Sequence, residues 1–490
     1  MRLRGWRCGC WPRGQSGGWR NWSGCSARGA GCTDRNDARH REAIVSRLQI
    51  PLESTKLANG LRVVVVPERS VPVVTVGVYY HIGFRLEPEG RSGFAHLFEH
   101  MMFQGSAHAD KLMHIRLVNA SGGVLNGSTR YDVTNYFEAV PSNALERVLW
   151  LEADRMRALK VTQENLENQR DVVKEEVRVN VLNQPYGGFP WLDLPPVAYR
   201  KWANAHNFYG DFSDLDAATL EDVQQFFRTY YAPNNAVLLL IGDVAPEEGF
   251  ALARRYFEDI PPGSPPPTPD VWESPPGEER RGTVPEKFGT LPAMAIGYHM
   301  PRRRTQDWYA VGLLDQVLHG GRAGRVYRRL VQEKQIAVET SGGIHYPLGD
   351  VLDYDGPVLM VTQILHKPEY SAEATLAAFD QVVAELQENG VSAEELAAVQ
   401  VKFRSDYITA LEAGMGGYLP RFGLMHYAAC FTLFDNDPSL VNTILDGFLA
   451  VTPEQVRAAA QRYLQPGQRA IVLRQPVGRA ASQPAAAGGA

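Results

Sequence analysis

From Ile260 the chain reads Ile260-Pro261-Pro262-Gly263-Ser264-Pro265-Pro266-Pro267 and stays proline-rich to Pro276. Proline fixes φ and lacks an N–H, so this stretch excludes a helix interior or a central strand and reads as a linker. It divides a chain of 490 residues, more than one compact core usually serves. The parts on either side follow one plan. Before the linker, β-branched and aromatic runs predict strands at 61–66, 73–80, 133–140 and 236–241, with a turn at Asn59-Gly60. Helical patterns fall at 94–103, 144–159, 163–182 and 220–230. After it, strands are predicted at 293–298 and 358–364, and helices at 308–318, 326–334, 371–389 and 393–411. The shared plan suggests a duplication of about 210 residues per half.

The expected fold class is therefore α+β, with two homologous αβ domains, each a mixed sheet with helices packed on one face. The expected divisions are 1–45, a basic disordered segment; 46–260, the first domain; 261–282, the linker; 283–475, the second domain; and 476–490, a disordered Ala/Gly tail.

A net charge of −5 argues against a nucleic-acid partner, which calls for a basic surface. No apolar run is long enough for a membrane span. Cys8, Cys10, Cys25 and Cys32 stand at the start, and Cys430 alone lies in the rest. The body thus has no disulfide framework and no all-cysteine zinc site, so a metal there needs histidine and carboxylate. The first 32 residues carry six arginines, no lysine and no acid. That composition invites a mitochondrial targeting reading, but helical apolar periodicity is weak and no secretory apolar stretch is visible.

The motif that carries chemistry is His96-Leu97-Phe98-Glu99-His100. Two histidines four apart on a helix leave one face a turn apart, so both can reach one zinc ion. Glu99, beside that face, is placed to take a proton from an activated water. A pair of histidines satisfied by other partners would give the same spelling. A catalytic zinc usually takes a third protein ligand, and His81, His108 and His114 lie on loop-like or unrelated segments. On the helix at 163–182, the face Gln169, Val172, Val173, Glu176 follows i, i+3, i+4, i+7 and turns Glu176 inward. Glu175, with Asp171 and Arg178, faces solvent. An inward acid paired with an arginine is the alternative. If the halves superpose, Gly312-Leu313-Leu314-Asp315-Gln316 stands where the motif stands, which confines a metal to the first half.

These residues resemble the pitrilysin/insulysin family of inverted-motif zinc metallopeptidases, in the branch containing mitochondrial processing peptidase. The resemblance covers about residues 48–470 and rests on several runs. They are the segment from Gly93 through His96, Glu99 and His100 to Ser106; Thr134-Asn135-Tyr136-Phe137-Glu138-Ala139-Val140-Pro141; Leu151-Glu152-Ala153-Asp154-Arg155-Met156; and Arg170-Asp171-Val172-Val173-Lys174-Glu175-Glu176. It implies His96, His100 and Glu176 as ligands of one zinc ion per chain, Glu99 as general base, and a peptide substrate. Glu176 falls 76 positions after His100, where that branch places its third ligand.

The resemblance further implies that an extended peptide adds to a sheet edge near Val124-Leu125-Asn126-Gly127-Ser128-Thr129, with Gly127 where the family has alanine. Asn126-Gly127 also spells a hairpin turn. Phe103 is a candidate for the cleft wall or for the core. A chain of this length would form half of a clamshell chamber, closed by a second similar chain in a homodimer or heterodimer.

Two departures stand out. Many relatives carry a substrate-contacting Arg and Tyr seven apart in a second-half helix; Val331 and Val338 occupy those places, so a partner would supply the pair. Gln169 stands where several relatives have a glutamate supporting the zinc site. The expected function is a zinc-dependent endopeptidase acting on extended peptides or unfolded segments; the alternative is a non-catalytic peptide-binding or assembly subunit. The layout is common among exported bacterial relatives, which favours an extracytoplasmic location although no export signal is visible.

Overall fold

The computed structural model describes residues 48–413 and 421–477. The segment 1–45 and nearly all of the tail 476–490 lie outside the described residues.

The first half forms a six-stranded sheet from β1 (Glu53–Lys56), β2 (Arg62–Pro67), β3 (Val73–Tyr80), β4 (Val124–Thr129), β5 (Thr134–Pro141) and β6 (Ala236–Gly242), in the order β1-β2-β6-β3-β5-β4. The second half forms a five-stranded sheet from β7 (Arg280–Glu286), β8 (Ala293–His299), β9 (Ala337–Ile344), β10 (Leu359–His366) and β11 (Arg469–Pro476), in the order β7-β11-β8-β10-β9. Without β1 the two orders correspond strand for strand. Each opens on one parallel pair, β2 with β6 and β7 with β11, and continues antiparallel. The duplication is thus present in topology, and both sheets are mixed.

The helices that matter for the site are α1 (Phe94–Met101), α2 (Met113–Ala120), α3 (Leu145–Ala158) and α4 (Gln163–Val177) in the first half. In the second, α5 (Gln306–His319) takes the place of α1, and α6 (Phe422–Asp435) follows the long helices. One face of the first sheet, through Val63, Val76, Val78 and Leu238, packs against α1, α3 and α4 through Leu97, Phe98, Leu149 and Val173.

The helices of the first half pack on one face of its sheet, as expected, and the second face is covered from the other half. Strands β3 and β6 are buried on both faces, because the second half covers the other side. Helix α6 lies there, with the Phe422 ring 4.7 Å from that of Phe137. The first half returns the cover: Leu194, Ala198 and Tyr199 pack on Ala293, Ala295 and Val472 of the second sheet. Glycines, each the fifth residue of its strand in β3 and β8, make room for the two covers. A Cβ on Gly77 would meet Met425 Sδ at 2.4 Å, and one on Gly297 would meet Leu194 Cδ2 at 2.9 Å. Helix α6 is apolar all round, as a helix buried on every side must be, so it offers no amphipathic period.

The proline-rich stretch has no regular secondary structure, and β7 begins at Arg280, inside the span read as linker. It is pinned rather than loose. Asn204 donates to the Val271 carbonyl at 2.8 Å, and Arg302 stacks over Trp272 at 4.2 Å.

At the junction of the halves Arg85 is fully buried. Its Nε lies 2.9 Å from Asp132 Oδ1, and its Nη1 donates to Asn204 at 3.0 Å and to the Pro357 carbonyl at 2.6 Å. Asp132 in turn accepts from the Asp355 N–H at 2.8 Å. Removing one partner of a buried pair leaves the other charge uncompensated. Arg85→Ala should therefore lower unfolding free energy by about 3 kcal/mol or more in urea denaturation; a change below about 0.5 kcal/mol, typical of surface sites, would contradict this role.

Candidate metal centre

Helix α1 starts at Gly93, whose φ of 83° is a left-handed conformation suited to glycine. The buried Glu87 carboxylate accepts from the Gly93 N–H at 2.9 Å and the Ala95 N–H at 2.7 Å, satisfying the free amides of the helix start. His206 Nε2 stands 3.2 Å from the same carboxylate. This fixes the position and rotation of α1, and with them His96 and His100.

Helix α4 then brings Glu176 across. His100 Nε2 lies 3.1 Å from Glu176 Oε2, and His96 Nε2 lies 3.9 Å from Oε1. The three ligand atoms fall within 4.8 Å of one another. The histidine rings stand nearly perpendicular, with centroids 5.1 Å apart. Two imidazole nitrogens and one carboxylate are a donor set that suits zinc and leaves a fourth position free. Burial first, then the neighbouring His100, pulls the His96 pKa down to about 4, which keeps the ring neutral with a free lone pair. A hydrogen bond from His100 lowers the Glu176 pKa and keeps that group anionic. The residues therefore fit the ion.

Helix face and structure agree on Glu176 and differ on Val172. The buried residues of α4 include Leu166, Gln169, Val173 and Val177, while Val172 is 42% exposed. Steps of four residues along 169, 173 and 177 set the buried line; Val172 and Glu176, four apart, share the flank beside it, where Val172 meets solvent and Glu176, half-buried, meets His100. Glu175 faces solvent beside Arg178, as expected. Gln169 is buried, and its amide donates to Asn168 Oδ1 at 2.7 Å rather than to a ligand histidine. His96 Nδ1 is buried without a partner.

Glu99 is held by a residue the sequence did not point to. Thr129 Oγ1, on β4, donates to Glu99 Oε2 at 2.8 Å. Burial raises the Glu99 pKa, opposed by this hydrogen bond. A carboxyl raised in this way is a better proton acceptor than an exposed one. Strand β4 is the outer strand of its sheet, with no strand paired to its far side among the described residues, and its Gly127 N–H donates to Asn126 Oδ1 at 2.9 Å. Asn126 and Gly127 lie within this strand, opposite Phe137 and Tyr136, which corrects the hairpin-turn alternative. Gly127 sits against Glu99: an added Cβ would lie 3.3 Å from Glu99 Cγ. Phe103 takes the core role, its ring 5.9 Å from Tyr136 and 6.0 Å from His114, with Arg155 over it at 5.3 Å.

Among the described residues one further cluster has ligand-like spacing: His114, Glu138 and Glu152. His114 lies on α2, a segment apart from the motif helix, as expected. Arg155 Nη2 stands 3.5 Å from Glu138 and also pairs with Glu152, so a cation already fills this group. In the second half Asp315 and Gln316 occupy the motif's place beside a cavity of about 300 Å³ under the outer strand β9. Asp315 is taken by His319 Nδ1 at 2.8 Å. Val331 lies in the helical segment Arg328–Glu333 and Val338 in β9, so these two positions do not share the one helix expected of them.

The chain is similar to known proteins over most of its length. Residues 62–186 match the family model described as insulinase (peptidase family M16), and residues 217–402 match the M16 inactive domain. The zinc protease PqqE of Helicobacter pylori is 30% identical over 373 residues, 74% of this chain and 80% of that protein. A probable mitochondrial-processing peptidase subunit beta of Arabidopsis thaliana is 28% identical over 207 residues, 42% of this chain and 38% of that one. Among solved structures, a protease from Helicobacter pylori superposes with a TM-score of 0.78 at 27% identity, covering 87% of this chain and all of that one, 100%. The periplasmic protease PqqL from Escherichia coli shares the fold, with a TM-score of 0.70 at 17% identity over 88% of this chain and 48% of that one.

Exchanging Glu176 for Gln should weaken zinc affinity about 10-fold or more, whereas Glu175→Gln should leave it unchanged. Competition with a chelator measures both, and equal effects would remove Glu176 from the ligand set.

Proposed function

The chain belongs to the insulinase family, peptidase M16, and from that premise we propose that it is a zinc-dependent endopeptidase acting on extended peptides or unfolded segments. The observation that carries this reading is the convergence of His96, His100 and Glu176 with Glu99 beside them. Bound there, one zinc ion per chain would supply Lewis-acid activation of water and of a peptide carbonyl. His96 offers a neutral nitrogen, His100 a second imidazole nitrogen, and Glu176 the balancing charge. Glu99, raised by burial and oriented by Thr129, takes the proton of the attacking water at a carboxylate oxygen and returns it to the leaving amine.

Substrate geometry follows from the sheet edge. A peptide aligned along β4 would pair with the outer edge of the sheet, with Asn126 and Gly127 at the register next to Glu99. Gly127 keeps that approach shallow. In this reading residues 46–260 are the catalytic domain and 283–475 a domain that shapes the chamber without metal. The missing Arg and Tyr at 331 and 338 favour action as a dimer with a homologous chain. No described helix is long and apolar enough to cross a membrane. An extracytoplasmic location remains part of the proposal. The same two valines support the second reading, a chain that holds zinc and peptide but cleaves only beside its partner.

Bound zinc and cleavage of a quenched peptide library separate these readings when measured on wild type and Glu99→Gln. One zinc per chain is expected in both, with cleavage reduced at least about 100-fold in Glu99→Gln. Folded wild type that takes up no zinc would sink the proposal; activity only after a homologous chain is added would favour the second reading.

A further inference from the structure

A peptidase of this design needs more than a base. As water attacks, the peptide carbonyl oxygen gains charge, and a fixed neutral donor aimed at it lowers the barrier. The valines at 331 and 338 can donate nothing from their side chains. The first half, however, carries a hydroxyl that no motif identified. It is on the loop that crosses the start of α1.

That loop is tightly held. The Tyr209 N–H donates to Asn207 Oδ1 at 2.9 Å, and the Gly210 N–H donates to the Asn207 carbonyl at 2.9 Å. The Asp211 N–H donates to Ser92 Oγ at 2.9 Å, and Ser92 Oγ donates to Asp214 Oδ2 at 2.6 Å. Gly93 and Gly210 touch back to back; a Cβ on Gly93 would meet the Tyr209 carbonyl oxygen at 2.6 Å. The backbone of Tyr209 is thus seated on the first turn of the helix that carries both histidines. Its ring stands 5.4 Å from the His96 ring at 67° and 4.7 Å from the Phe208 ring at the same angle.

The hydroxyl end of this half-buried side chain lies where the charges of Glu176 and Glu99 act on it, beside the indole of Trp191. Trp191 Nε1 is buried without a hydrogen-bond partner. An indole N–H can only donate, so it can face the phenolic oxygen but cannot take the phenolic proton. A tyrosine hydroxyl keeps that proton at neutral pH. Trp191 therefore does not take up that proton, and the ring that carries it stands edge-on to His96.

We propose that Tyr209 donates a hydrogen bond to the carbonyl oxygen of the scissile peptide and strengthens it as that oxygen becomes an oxyanion. The inference rests on the peptidase reading of the same centre. No covalent bond to Tyr209 forms, and its proton stays on the phenol throughout. The chain then contains a hydroxyl donor of its own, and a partner need contribute only to binding.

Tyr209→Phe keeps the ring against His96 and removes only the hydroxyl. In the zinc-loaded protein, with a homologous partner added if wild type requires one, kcat should fall about 100-fold while KM changes less than about twofold. Zinc affinity and thermal midpoint should match wild type. Calorimetry supplies a readout independent of turnover. Tyr209→Phe should bind a phosphinic peptide, whose tetrahedral oxygens imitate the oxyanion, about 100-fold more weakly, and a methylene-amine isostere of the same sequence, which lacks that oxygen, with unchanged affinity. Unchanged kcat and unchanged phosphinic affinity would overturn the proposal. So would a loss of phosphinic affinity matched by an equal loss of zinc, which would mark Tyr209 as a support for Glu176. Wild type without zinc or cleavage would instead bring down the peptidase reading itself, and this inference with it.

Discussion

Strands β3 and β6 are apolar on both faces, and a sheet of that kind cannot stand with one side in water. Each half therefore needs a cover that it does not contain. Helix α6 of the second half closes the first sheet, and the segment around Leu194 of the first half closes the second sheet. Gly77 and Gly297, each the fifth residue of its strand, let the covers approach closely. Arg85 ties Asp132 to the Pro357 carbonyl at this junction. The outer strands β4 and β9 have no strand paired to one side among the described residues, and β4 borders the metal centre.

Within that frame the centre is built by restraint of α1. Glu87 holds its first amides, and the loop at 207–211 lies across its first turn. His96 is thereby buried against Phe208 and Tyr209, while His100 and Glu176 remain within reach of solvent. The electrostatics divide accordingly. Burial keeps His96 neutral, the hydrogen bond from His100 keeps Glu176 charged, and Glu99 is raised by burial. Neutral donors, one anion and a base of raised pKa are what zinc-assisted hydrolysis of a peptide asks of a protein.

Much of this was legible along the chain because short-range periodicity carries it. The i, i+4 histidines, Glu99 between them and the inward turn of Glu176 are local properties of two helices, and the structure brings those residues together. The repeated order of strands and helices foretold two sheets of one topology. Other features left no local trace. Helix α6 has no polar face to give it a period. Val172 and Glu176 share one flank of α4, and only packing against α1 decided that 169–173–177 is the buried line, with Val172 left in solvent and Glu176 turned to His100. Asn126-Gly127 reads equally as turn or strand until β5 pairs with it.

The sequence by itself thus determined the chemistry available: which half holds the candidate metal ligands, which carboxylate is the candidate base, and that the second half has neither at the corresponding place. Tertiary structure alone decided what surrounds those groups. Thr129 on Glu99, Glu87 on the start of α1, Tyr209 against His96 and the open edge of β4 all join residues far apart in the chain. Their meeting depends on how each sheet obtains cover for its second face, a requirement that is satisfied only when both halves are folded together.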